Sequence, residues 1–158
     1  MKYKLFLDLD GVLSDFDHGV KMATGRLPGE IPEKIMWPLI AKTKDFYAKL
    51  PWMSDGRALW NFSIPFNPVI LTGLPRGNWA EPQKREWCSR ELGAEVEVIT
   101  CMSRVKAEKA QEITPEGVRP VLVDDRLKQK DNWESLGGLF ILHTSAAESI
   151  QALKDLGF

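Results

Sequence analysis

The sequence predicts an α/β fold, a doubly wound parallel sheet with helices on both faces, built as a single domain. Three observations carry that expectation. Five short apolar runs, β-branched above all at 69–72 and 96–100, recur at 3–9, 69–72, 96–100, 120–124 and 139–143. Segments with helical spacing and helix end signals lie between them. Acids, a hydroxyl and a glycine gather at the carboxyl ends of the runs. Strands alternating with helices make βαβ units, whose parallel strands are buried on both sides.

The first strand ends in Asp8-Leu-Asp-Gly11. Alternation with period two puts Asp8 and Asp10 on one face, ~7 Å apart, and Leu5, Leu7 and Leu9 on the other. Gly11 lets the chain bend and a ligand approach the backbone. About sixty residues then precede the second strand, far more than one crossover helix needs. Helices are expected over Asp15–Ala23, stopped by Gly25 and the Leu27-Pro28-Gly29 turn, over Pro32–Ile40, over Thr43–Leu50 before Pro51, and over Asp55–Phe62. Residues 16–54 are read as a helical insertion over the sheet's functional end, with a core of 1–15 and 55–158. Further on, Glu81–Leu92 ends at Gly93, a natural helix stop. Ser103 is placed to cap a helix through Ile113. Ser145-Ala-Ala-Glu148 is a capping box, followed by Ile150, Leu153 and Leu156 at helical spacing.

With 158 residues, 44% hydrophobic and 27% charged, the chain has the composition of a globular domain with a substantial core. Its 21 Lys and Arg nearly balance 22 Asp and Glu, which removes the electrostatic case for nucleic acid or a membrane surface. Met1-Lys2-Tyr3 leads straight into the first strand, without a signal peptide or transmembrane run. Cys88 and Cys101 have no metal-type spacing, so a reducing, cytoplasmic compartment is expected.

Ligands of open parallel sheets bind outside the carboxyl ends of the strands. Those ends carry Asp8 and Asp10, Thr72-Gly73, Thr100, and Asp124-Asp125. Clustered carboxylates raise one another's pKa and destabilise the fold unless a cation neutralises them. An all-oxygen set without histidine or thiolate suits a hard divalent ion, Mg²⁺ above others, and Mg²⁺ favours a phosphate co-ligand. The expected partner is a small phosphorylated molecule.

Taken in order, Asp8-Leu-Asp-Gly-Val, Leu71-Thr-Gly, a lysine near 106 and Val123-Asp-Asp-Arg126 resemble the motifs of the haloacid dehalogenase (HAD)-like hydrolases, over almost the whole chain. Asp45-Phe-Tyr-Ala-Lys-Leu-Pro-Trp-Met53, Lys84-Arg-Glu-Trp87 and Asp131-Asn-Trp-Glu-Ser-Leu-Gly-Gly138 bring it closest to the small 5'(3')-deoxyribonucleotidase-like branch and its bacterial and phage relatives. The resemblance implies a Rossmann-like core with five strands and a helical cap. It implies a Mg²⁺-dependent phosphomonoesterase acting on (deoxy)nucleoside monophosphates. Asp8 would be the nucleophile that forms an aspartyl-phosphate, and Asp10 the general acid and base. In this superfamily an aspartate at that second position marks phosphoryl transfer rather than carbon–halogen chemistry. Thr72, the backbone of Gly73 and a lysine would hold the phosphoryl group. Asp8, the Asp10 carbonyl, Asp124 and Asp125 would hold Mg²⁺. Lys106 and Lys109 lie three apart on one helix, and either can reach the site. Lys106 is preferred because it is nearer the helix N-terminus, where the phosphate should sit.

The insertion should set substrate choice. Phe16, Trp37, Phe46, Tyr47 and Trp52 suit either a stacking pocket for a nucleobase or the small core such an insertion needs, with Phe16 the best single candidate for base contact. Arg76 is a candidate phosphate or base contact. His18 reads as a helix-surface residue, and both cysteines as structural. Three alternatives compete. A phosphatase for another small phosphoester or a nucleic-acid end fits the same motifs, although the neutral charge weighs against a polymer. A signalling receiver module also combines acids, Thr and Lys on such a sheet, but there the acid pair precedes the acceptor, the reverse of this order. A catalytically dead HAD-like binding protein would be expected to lack Asp8 or Asp10.

Overall fold

In the computed structural model, which describes residues 2–158, the apolar runs form one sheet of five parallel strands. They are β1 (Tyr3–Leu7), β2 (Val69–Gly73), β3 (Val98–Cys101), β4 (Arg119–Asp124) and β5 (Leu139–Leu142), in the order β3-β2-β1-β4-β5. Paired registers such as Phe6 with Val69 and Leu7 with Val123 bring the carboxyl ends to one edge. The chain builds outward from β1 to β3, then returns to add β4 on β1's other side. A crevice opens at such a reversal, between the ends of β1 and β4.

The helices are α1 (Phe16–Thr24), α2 (Glu33–Lys42), α3 (Gly56–Ser63), α4 (Ala80–Glu91), α5 (Lys106–Ile113), α6 (Lys130–Ser135) and α7 (Ala146–Leu156). Side-chain alternation divides the core in two. Leu5, Leu7, Ile70, Val121 and Val123 pack with Leu59 of α3, Trp87 of α4 and Leu153 of α7. Phe6, Val69, Leu71 and Leu122 face the other way, onto Ala107 and Ala110 of α5 and Trp133 of α6. Each such side chain taken fully from water contributes roughly 1.5–3 kcal/mol, so both faces are held firmly.

Local chemistry explains the helix ends. The Asp15 carboxylate accepts the His18 N–H at the start of α1, and Gly25 closes it at φ 79°. Ser145 Oγ accepts the Glu148 N–H at 3.2 Å to open α7, and Asp55 reaches across the fold to accept the Ala146 N–H at 2.7 Å. Among the described residues no helix is long and apolar enough to cross a membrane.

Several elements differ from expectation. β1 ends at Leu7, so Asp8 to Asp10 lie past the last paired strand residue, with the Asp8 N–H still donating to the Val123 carbonyl. The helix expected over Thr43–Leu50 is a series of turns. Asp45 sits at φ 54°, outside helical space, and the Tyr47 N–H is taken by Gln83 Oε1 rather than by a preceding carbonyl. Ser103 opens a 3-10 turn, Ser103–Val105, and α5 proper starts at Lys106, with no cap bond from the Ser103 hydroxyl. Helix α6 was not anticipated from its pattern. Its Trp133 meets Phe6 edge-on and lies against Gly138, where a Cβ would collide with the indole. That packing gives the Asp131–Gly138 stretch a structural reason.

Candidate active site

Asp8, at the end of β1, continues the face of Phe6 and so points toward α5. There Lys106 Nζ, on the first residue of α5, donates to Asp8 Oδ1 and Asp124 Oδ2, both at 2.8 Å. All three side chains are at most 7% exposed. Burial pushes the Lys106 ammonium down, but the two carboxylates more than offset this and hold it above its ordinary value. Burial also raises the Asp8 carboxyl, the nearby Lys106 opposing the shift and Asp124 adding to it.

Asp125 completes an acidic trio. One carboxylate oxygen each from Asp8, Asp124 and Asp125 lie within 4.8 Å of one another. Asp125 stays open to solvent on its outer side; partial desolvation of its inner side, then the charges of Asp8 and Asp124, push it up to about 8. Gly11 is what lets Asp125 approach: it sits at φ 80°, and a Cβ there would collide with the Asp125 carboxylate. Asp124 is oriented by the Arg126 N–H, which donates to its Oδ1 at 2.8 Å. Oxygens alone, tightly spaced and mutually repelling beyond what one lysine offsets, fit a hard divalent cation.

Asp10 departs from the strand alternation. Instead of following Asp8 toward α5, its carboxylate is drawn toward α4, where Lys84 Nζ donates to Oδ2 at 2.7 Å. Ser14 Oγ donates to its Oδ1 at 3.1 Å. Lys84 also donates to Thr72 Oγ1 at 3.0 Å and to the Gly73 carbonyl at 2.7 Å. The face of the Tyr47 ring lies 4.5 Å from the same ammonium. Ser103 packs its hydroxyl against Gly73, where a side chain would leave no room for it.

These groups open on a cavity of about 280 Å³ lined by Asp8, Asp10, Gly73, Lys84, Lys106 and Asp125, with Phe16, Trp37 and Tyr47 at its aromatic side. Most of the expected site residues therefore converge, with Thr72 and Asp124 fully buried just behind the cavity lining, and several do not. Lys109 turns outward onto Glu112 at 3.2 Å, which leaves Lys106 as the lysine at the acids. The Thr100 hydroxyl faces Arg85 instead. Phe46 is buried behind Phe16 and Tyr47 and does not line the cavity. Trp52 lies elsewhere, its ring tilted against Trp87 and its indole N–H donating to Glu91 at 3.1 Å. Arg76 is exposed and lines a neighbouring groove with Trp37 and Trp79. His18 is exposed on α1, and Cys88 and Cys101 are buried free thiols. The sequence reading gave Lys84 and Ser14 no role in the chemistry. One signal was available: Lys84 falls at helical spacing on the buried stripe of Ala80, Trp87 and Cys88, whereas Arg85 shares the exposed side of α4 with Glu81.

No family model and no curated protein sequence matches the chain. Solved structures do. A hydrolase from Streptococcus pneumoniae TIGR4 aligns over 98% of this chain and 100% of its own, with a TM-score of 0.59 at 12% identity. The L-2-haloacid dehalogenase from Xanthobacter autotrophicus aligns over 97% of this chain and 88% of its own, with a TM-score of 0.52 at 11% identity. At such identities what is shared is the architecture. The chain shares the α/β, Rossmann-like fold of these two hydrolases, with its own acids gathered at the carboxyl edge of the sheet.

Proposed function

We propose that the protein is a Mg²⁺-dependent phosphomonoesterase that works through an aspartyl-phosphate on Asp8. The observation that carries this reading is the buried Asp8–Lys106–Asp124 cluster, with Asp10 beside it in one cavity. Lys106 holds one Asp8 oxygen, and the other attacks phosphorus. As the phosphorus–oxygen bond to the substrate breaks, Asp10 gives its proton to the departing alcohol. Asp10 then takes a proton from the water that cleaves the aspartyl-phosphate, which releases phosphate and restores Asp8. Thr72, the Gly73 backbone and Lys106 stabilise the transferring phosphoryl group by hydrogen bonds and charge.

Asp8, Asp124, Asp125 and the Asp10 carbonyl would hold Mg²⁺, which supplies charge stabilisation for the phosphoryl oxygens. An aspartate at position 10 supports phosphoryl transfer over carbon–halogen chemistry, since it provides the acid that an alcohol leaving group needs. Phe16, Trp37 and Tyr47 at the cavity support a planar leaving group, and a (deoxy)nucleoside monophosphate is the substrate class we favour. In this reading residues 16–54 act as the cap that selects it, in a cytoplasmic setting.

The test is a phosphoester panel with and without Mg²⁺. Turnover of p-nitrophenyl phosphate and of some deoxynucleoside monophosphates is expected, with loss in EDTA and in Asp8→Asn. Turnover that survives Asp8→Asn overturns the mechanism. Preference for sugar phosphates over every nucleotide overturns the substrate class alone.

A further inference from the structure

We infer that Lys84 is a positioning residue for the acid–base step. Together with Ser14 it clamps both oxygens of Asp10 and sets that carboxyl's aim at the leaving oxygen. The inference rests on the phosphatase reading and goes beyond it, because Lys84 lies outside the motifs that carry that reading.

The geometry is that of a built junction. Lys84 is 1% exposed, in the middle of a helix otherwise rich in solvated charges. An ammonium has three N–H donors and no acceptor. All three have partners: Asp10 Oδ2 at 2.7 Å, Thr72 Oγ1 at 3.0 Å and the Gly73 carbonyl at 2.7 Å. The Tyr47 ring closes the remaining side. Each partner comes from the catalytic edge, two from the end of β2 and one from the loop after β1. Ser14 Oγ takes the other Asp10 oxygen, so the carboxylate cannot rotate without giving up one bond.

Two consequences follow for the chemistry. Because Lys84 can only donate, the Thr72 hydroxyl must accept from it, and its own proton is left to be donated elsewhere. Because Asp10 lies past the end of β1, no sheet ladder fixes its direction, and the clamp takes over that role. A buried lysine paired with one carboxylate is a costly way to stabilise a fold. A well-packed apolar side chain of similar volume is often as good or better. What the ion pair adds is direction, and general acid catalysis depends steeply on it.

The test separates positioning from mere structural support through the leaving group. Single-turnover release of phenol is measured for phenyl phosphate and of nitrophenol for p-nitrophenyl phosphate, in the parent, Lys84→Met, Ser14→Ala and Asp8→Asn proteins with Mg²⁺. Phenoxide needs a proton far more than nitrophenoxide does. Lys84→Met should therefore slow phenyl phosphate by roughly 10²-fold, the low end of general acid contributions, and p-nitrophenyl phosphate about ten times less. Ser14→Ala, which frees only the second Asp10 oxygen, should change the ratio in the same direction by a smaller factor. Equal losses on both substrates in Lys84→Met overturn the inference. If circular dichroism shows that variant unfolded, an unchanged ratio in Ser14→Ala overturns it instead. Turnover in Asp8→Asn would sink the phosphatase reading itself, so the two failures are distinct.

Discussion

Replacing Lys106 with methionine tests the electrostatic design of the site. The substitution keeps most of the stem's volume and removes the cation that two buried carboxylates share. Asp8 and Asp124 each lose a 2.8 Å ion pair, and with Asp125 they remain clustered within 4.8 Å. Removing one partner of a buried pair typically costs about 3–5 kcal/mol, because the charge left behind is uncompensated. For a domain of this size each kcal/mol moves Tm by about 2–4 °C, so unfolding in EDTA should fall by about 6–20 °C. Mg²⁺ should then recover part of the loss. A ligand present at 100 times its Kd adds about 2.7 kcal/mol, and the variant's more negative site should gain more from the ion than the parent does. Thermal unfolding followed by circular dichroism, with EDTA and with excess Mg²⁺, measures both quantities. A variant Tm within about 2 °C of the parent in EDTA would refute the claim that Lys106 neutralises the trio.

Lys109→Ala is the matched control. Its ion pair to Glu112 is solvent-exposed, so stability should change by less than about 0.5 kcal/mol and turnover should stay at the parent rate. A large loss of activity would reinstate Lys109 at the site. Without divalent ions, stability should fall as pH rises. Asp125, held up to about 8, binds a proton in the folded state that the unfolded chain has already released above about 4. The stability gained from that proton is present at low pH and is lost through about 8, and Asp8 shifts in the same direction. Urea midpoints in EDTA should be lower at pH 9 than at pH 6, with Mg²⁺ erasing the difference; an equal or higher midpoint at pH 9 contradicts the assignment. Gly11→Ala should weaken Mg²⁺ binding and lower Tm together. It adds a side chain at φ 80°, a strain of about 1–2 kcal/mol, and drives its Cβ into the Asp125 carboxylate. An unchanged Mg²⁺ titration of Tm would show that Gly11 is not what seats Asp125.

The chain's own pattern determined the sheet and the edge that carries the chemistry. Five apolar runs between helical segments leave few alternatives to a doubly wound parallel fold, and Asp8, Thr72-Gly73 and Asp124-Asp125 end their runs where such folds bind ligands. Those are local properties, set by period and by position along an element. The partners of each acid are not local. Lys106 and Lys109 are equivalent by helical spacing, and only the docking of α5 on the Phe6 face turns one inward and leaves the other on Glu112. Phe46 and Trp52 look as available for stacking as Phe16 and Trp37, until the turns over 43–50 bury one and send the other to Glu91. Asp10 shows the limit most clearly. Strand alternation pairs it with Asp8, yet β1 ends at Leu7, and beyond that point a lysine 74 residues away decides where the carboxylate points. Backbone periodicity stops acting where the strand's hydrogen bonds stop, and from there tertiary contacts set the direction of each side chain.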